Sequence, residues 1–142
     1  MIKVGVIGAG HLGKIHLSIL NNSDFELVGF HDTDVPNSEK LSREKGYTFF
    51  KNFDSLINKI DAVVIVSPTT THFEIAEKCI SKGKHIFVEK PLSTSMKELQ
   101  EIVNAMLTKP HLKFSSNLIL RRVNRFVKLR ENILNNLLGE IY

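Results

Sequence analysis

Gly8-Ala9-Gly10-His11-Leu12-Gly13 is a G-x-G-x-x-G hexapeptide. It sits between a β-branched run, Ile2–Ile7, and a stretch, His11–Asn21, that carries Leu12, Ile15, Ile19 and Leu20 at helical spacing. A short glycine pattern alone says little, and the rival reading is a plain strand-to-helix turn. Between a strand and a helix, however, it has the context that phosphate binding requires. Gly8 permits the tight turn, Gly10 lets the backbone approach a pyrophosphate, and Gly13 lets the helix pack closely on the strand. The anion then lies at the helix N-terminus, where unpaired N–H groups and the helix dipole favour it. All six residues are therefore candidates for cofactor binding.

Outward from this loop, strand and helix signals alternate. Phe25–His31 reads as a second strand, followed by a polar turn with Pro36 and a helix, Ser38–Lys45, stopped by Gly46. Tyr47–Phe50 reads as a short strand, and Asp54 as the N-cap of a small helix with Leu56, Ile57 and Ile60. Ala62–Val66, His85–Val88 and Leu112–Asn117 complete six expected strands. Helices are predicted at Thr71–Ser81, at Ser95–Leu107 with Ser95 and Glu98 as a capping box, and at Val127–Leu138 before Gly139. Strands apolar on both faces and separated by helices imply an α/β fold, a doubly wound parallel sheet of Rossmann type. Residues 1–123 are read as the dinucleotide-binding domain and 124–142 as a helix leading into a further domain.

Asp32 closes the second strand. An acid about 20 residues beyond the loop is expected to hold the adenosine ribose hydroxyls of NAD, and its charge opposes the 2′-phosphate of NADP. NAD is thus favoured over NADP. The competing role for Asp32 is that of a helix cap or turn former.

Composition removes several function classes. The chain has 142 residues, 42% apolar and 24% charged, which is ordinary for a globular domain. No apolar run approaches a membrane span, and no basic leader precedes the first strand. The net charge is +4, but the basic residues are interleaved with acids as in Ser38–Lys45, a solvated-face pattern rather than a nucleic-acid stripe. The single cysteine, Cys79, lies on a helix's apolar face and reads as a buried, inert thiol in a reducing cytoplasm. The six histidines and this cysteine show no metal-ligand spacing, so no metal is expected.

Two further stretches narrow the reading. Val88-Glu89-Lys90-Pro91-Leu92 follows the fifth strand, and Ser67-Pro68-Thr69-Thr70-Thr71-His72 follows the fourth. Together with the glycine loop, over essentially the whole chain, they resemble the Gfo/Idh/MocA oxidoreductases, which include glucose–fructose oxidoreductase and inositol 2-dehydrogenase. The resemblance implies an N-terminal Rossmann domain followed by a domain on an open antiparallel sheet. It also implies a hydride passing between nicotinamide and a sugar or polyol. Lys90 would then be catalytic, its ammonium polarising a substrate oxygen, with Glu89 orienting the site and Pro91 often following a cis bond. Ser67, Pro68, Thr69 and His72 would line the ribose and nicotinamide side, and Asn117 would close the last strand beside them.

Each assignment has a plainer rival: a surface lysine before a turn for Lys90, and a helix-start residue capping its own turn for His72. Arg121 and Arg122 could hold an anionic sugar substituent, or remain solvated or pair with Glu131. His16 is read only as part of the first helix. The family's Asp-x-x-x-His acid/base pair has no counterpart in this sequence. The expectation is therefore a chain that binds cofactor without turnover and exposes Ile133, Leu137 and Leu138 of its last helix. Such a patch favours self-association into a homo-oligomer. The alternatives are a non-enzymatic NAD-sensing module, or a reductase of biliverdin type.

Overall fold

The computed structural model describes residues 1–117, 124–135 and 137, with the backbone alone at 125. Five strands form one parallel sheet in the order β2-β1-β3-β4-β5: β1 Lys3–Ile7, β2 Glu26–His31, β3 Ala62–Ile65, β4 His85–Val88 and β5 Phe114–Ser116. The helices are α1 His11–Asn21, α2 Val35–Lys45, α3 Phe53–Ile57, α4 Thr69–Ser81, α5 Met96–Leu107 and α6 Asn124–Leu134.

The sheet is covered on both sides because its strands are apolar on both sides. Successive side chains point to opposite faces. On β3, Val63 and Ile65 pack with Leu56, Ile57, Ala76, Ile80 and Ile102. Val64 instead packs with Val4, Val6, Leu17, Leu20, Phe30 and Leu41. Helices α3, α4 and α5 thus cover one face and α1 and α2 the other, the doubly wound arrangement expected. The strand order reverses between β1 and β3, which opens a crevice at their carboxyl ends.

Several boundaries differ from expectation for identifiable reasons. Tyr47–Phe50 is not a full strand. It contributes one parallel bridge, Phe30 to Phe49, held by Phe30 N–H to Thr48 O at 2.9 Å and Phe50 N–H to Phe30 O at 2.8 Å. Helix α2 begins at Val35, because Asp34 caps it by accepting from Asn37 N–H and Pro36 fits the first turn, where no N–H is needed. Asn52, not Asp54, caps α3. Asp54 sits in the first turn and pairs with Lys82 at 3.0 Å. At α5, Ser95 accepts from Glu98 N–H, but the Glu98 carboxylate turns to Ser93 Oγ, which in turn takes the Ser95 N–H at 2.9 Å.

Helix α1 buries only Leu20 of the stripe its sequence suggests. Gly13, Leu17 and Leu20 face inward, while Leu12, Ile15 and Ile19 are exposed. Gly13 sets this rotation, since a Cβ there would lie 2.1 Å from Gly8 O. Helix α6 exposes Phe126, Val127, Leu129, Ile133 and Leu134, and Leu137 beyond it is exposed too. Leu138 and Gly139 lie outside the described residues. Among the described residues no helix is long and apolar enough to cross a membrane.

Cys79 is fully buried in the core, and burial pushes its thiol up to about 12 against the opposing pull of Lys84 and Lys82. The folded chain should therefore resist a thiol-directed disulfide reagent near neutral pH and react fully once unfolded. Labelling of the native chain at the rate of a free thiol would contradict this burial.

Candidate functional site

The glycine loop joins β1 to α1 at the crevice. Gly8 has φ +99, and a Cβ on it would fall 2.7 Å from the backbone of Val66 and Ser67, so the loop lies directly against the end of β3. Gly10 differs from its neighbours in the loop. A Cβ there would meet no atom within 4 Å, and the residue is exposed.

Capping separates the helices at the crevice from the rest. Asp34, Asn52 and Ser95 cap α2, α3 and α5 through their side chains. Helices α1 and α4, whose first turns face the crevice, have Gly10 and Pro68 at that position and no side-chain cap. The first turn of α1 also lacks an acidic residue. Its early N–H groups and the positive end of its dipole are thus left for an external anion. Open ground over Gly10 beside an uncapped helix start fits a pyrophosphate.

Asp32 flanks the loop. Its Oδ2 accepts from Ala9 N–H at 2.6 Å and its Oδ1 from Asp34 N–H at 2.8 Å, while Gly8 N–H donates to His31 O at 2.9 Å. Asp32 therefore does form a turn with Asp34. It is not the cap of α2, and its carboxylate stands against the glycine loop.

Across the crevice, Ser67, Pro68 and Thr69 lead from β3 into α4. Ser67 Oγ is 2.7 Å from Thr71 Oγ1, which donates to Pro68 O at 2.8 Å. His72 is 1% exposed. Its Nε2 is 2.7 Å from Ser67 O and its Nδ1 is 2.9 Å from Pro91 O. The expectation of His72 as a cofactor-lining residue, like that of a self-capping one, meets a ring whose two nitrogens each face a backbone carbonyl. It ties the end of β3 to the turn after β4.

In that turn the Lys90–Pro91 peptide is cis, as the resemblance implied. Lys90 is exposed, and among the described residues its ammonium forms no ion pair. Glu89 is buried beneath it. Its Oε1 accepts from Asn117 Nδ2 at 2.9 Å and from His16 Nε2 at 2.8 Å, and its Oε2 accepts from Lys90 N–H at 3.3 Å. Burial disfavours the Glu89 carboxylate. The hydrogen bonds from His16, Asn117 and the Lys90 backbone outweigh it, and the group lies below its ordinary range. Asn117 is itself fixed by its own N–H to Val88 O at 2.9 Å.

The residues singled out from sequence thus meet along the carboxyl edge of the sheet, from Asp32 through the loop and Ser67–Thr69 to Glu89, Lys90 and Asn117. Arg121 and Arg122 lie outside the described residues. Sequence reasoning missed His16, the partner of Glu89. The available signal was a polar residue beside the inward stripe Gly13, Leu17 and Leu20.

Comparison with known proteins agrees with this geometry. Residues 2–116 match the pattern of an oxidoreductase family with an NAD-binding Rossmann fold. The glucose-6-phosphate 3-dehydrogenase of Bacillus subtilis is 32% identical over 142 residues, 99% of this chain and 40% of that enzyme. The myo-inositol 2-dehydrogenase of Thermotoga maritima is 32% identical over 148 residues, 98% of this chain and 42% of that enzyme. A crystal structure of scyllo-inositol dehydrogenase from Lactobacillus casei, with bound NAD(H) and scyllo-inositol, superposes with a TM-score of 0.88 at 27% identity. It covers 99% of this chain and 43% of that one. The chain therefore spans about two-fifths of the length of the curated relatives it matches. With its glycine loop, its Glu89-Lys90-Pro91 turn and this match over most of its length, the chain belongs to the Gfo/Idh/MocA oxidoreductase family, as an NAD-binding Rossmann domain.

Proposed function

We propose that the chain is the NAD-binding part of a sugar or polyol dehydrogenase, with Lys90 as its catalytic group and residues 124–142 leading out of the cofactor domain, 1–123. The observation that carries this reading is the open ground over Gly10 at the uncapped start of α1, with the Asp32 carboxylate beside it. When bound, the nicotinamide supplies the hydride acceptor or donor. The N–H groups of the loop and of the first turn of α1 hold the pyrophosphate. Asp32 accepts from the adenosine ribose hydroxyls, and Ser67, Pro68 and Thr69 border the nicotinamide side. The Lys90 ammonium holds the substrate oxygen, and Glu89 and Asn117 fix the turn from which it projects.

The chain on its own binds cofactor without turnover in this reading. The titratable groups that flank Lys90 are already engaged, Glu89 by three donors and His72 by two carbonyls. Calorimetry with NAD, alongside NAD reduction over a panel of sugars and polyols, is the test: binding with no reduction is expected. Reduction by the chain alone would show that it holds a complete catalytic set.

The Asp32 charge also makes NAD the favoured dinucleotide. NAD should bind more tightly than NADP. Asp32→Ala should narrow that gap by about 1 kcal/mol or more, roughly fivefold. Tighter binding of NADP to the unaltered chain would overturn the assignment.

A further inference from the structure

We propose that His16 is a positioning residue: through the Glu89 carboxylate it locks the Glu89–Lys90–Pro91 turn to α1, the helix that starts at the dinucleotide loop. The inference rests on the NAD-binding reading above and extends it from the phosphate end to the nicotinamide end.

Helix α1 packs on β1 and β2, and β4 lies on the far side of β3 from them. His16 crosses that gap. Its ring tilts against Phe87 of β4, centroid to centroid 5.8 Å at 57°, and its Nε2 donates to Glu89 Oε1 at 2.8 Å. An ionised carboxylate only accepts, so this contact, together with those from Asn117 and Lys90 N–H, gives the buried group its donors. The Glu89 carboxylate is thus a junction of α1, the turn after β4 and the residue after β5. Each of these is close to the crevice, and Glu89 N–H adds a bond to Ile65 O of β3 at 2.9 Å.

Without the His16 donor, Glu89 remains buried with weaker compensation and the turn loses its link to α1. The loop that receives the pyrophosphate is untouched, because Asp32 accepts from Ala9 N–H and Gly8 N–H donates to His31 O, and neither bond involves Glu89. A positioning role therefore predicts a loss confined to the nicotinamide end. A merely structural role predicts an equal loss for every ligand.

The test compares the affinities of NADH and of ADP-ribose, the same molecule without nicotinamide, for the full chain and its His16 variants. His16→Leu should weaken NADH by about fivefold or more while ADP-ribose changes by less than about twofold. His16→Gln, whose amide can still donate, should recover most of the difference. Should His16→Leu fail to fold, nitrogen-15 spectra of the unaltered chain give the answer. NADH should then shift both the His16 ring Nε2 and the Lys90 amide, and ADP-ribose should shift neither. Equal losses for both ligands, no loss for either, or identical spectral shifts would overturn the role of His16 and leave NAD binding standing. An unaltered chain that binds neither ligand would overturn both.

Discussion

Gly13→Val should leave little or no folded protein, and Gly10→Val should leave a normally folded protein that no longer holds its cofactor well. The two glycines stand three residues apart in one loop, yet their surroundings are opposite. A Cβ at Gly13 would sit 2.1 Å from the carbonyl oxygen of Gly8 and 2.8 Å from its carbon. Both atoms are backbone, fixed by the turn and by the bond from Gly8 N–H to His31 O. No rotamer can relieve the clash, so α1 must lift off β1 and expose the contact between Leu17 and the β1 valines. Overpacking alone costs about 1–3 kcal/mol, and displacement of the helix adds buried area lost, so a total above about 3 kcal/mol is expected. At Gly10 a Cβ meets nothing and the backbone is in the ordinary extended region with φ −65. Thermal unfolding of Gly10→Val should match that of the unaltered chain. Its NAD affinity should fall about tenfold or more, some 1.4 kcal/mol, since the added methyls occupy ground proposed for the pyrophosphate. Normal NAD binding by Gly10→Val would reduce the loop to a structural turn, and a normally stable Gly13→Val would show that α1 does not pack as described.

The contrast marks how far the sequence could be read. The alternation of strands and helices was legible because β3 and β4 are apolar on both faces and their helices carry long regular stripes. The site was legible where it is built from short contiguous motifs, as in Gly8–Gly13, Ser67–Thr69 and Glu89–Pro91. Features that depend on tertiary contact were not. Of the α1 stripe Leu12, Ile15, Ile19 and Leu20, only Leu20 is buried, because hydrophobicity is a weaker constraint there than the approach of Gly13 to Gly8. Asp54 was read as the cap of α3, although Asn52, two residues earlier, makes the bond. Tyr47–Phe50 had the composition of a strand and formed a single bridge at the sheet edge. His16 and Glu89 are 73 residues apart, and nothing local in either stretch announces the other. The same holds for His72, whose partners lie on two different loops.

His72→Leu should cost the chain about 1 to 3 kcal/mol, a larger loss than removal of any single surface ion pair here. Leucine keeps the volume and apolar character suited to a position 1% exposed, so the change is confined to hydrogen bonding. A neutral imidazole donates from one nitrogen, so one of the two carbonyls it lies between, Ser67 O or Pro91 O, loses its donor. An acceptor left unpaired beside the buried side chain costs about 1–3 kcal/mol. By comparison, exposed pairs such as Lys78 with Glu74 are screened by solvent and contribute little. For a domain of this length such a loss corresponds to a fall in Tm of about 5 °C or more. The effect separates two roles for the histidine. A residue that touches the cofactor directly would, when replaced, weaken NAD binding and leave the free chain's Tm unchanged. A strut between the two strand ends should lower the Tm of the free chain first. NAD binding should weaken with it, because Ser67 and the Lys90–Pro91 turn are no longer held at a fixed separation. Differential scanning calorimetry of the free variant, followed by NAD titration below its Tm, distinguishes them. An unchanged Tm with weakened binding would return His72 to the cofactor, and a lowered Tm with weakened binding would establish it as the tie between the two loops that carry the candidate site.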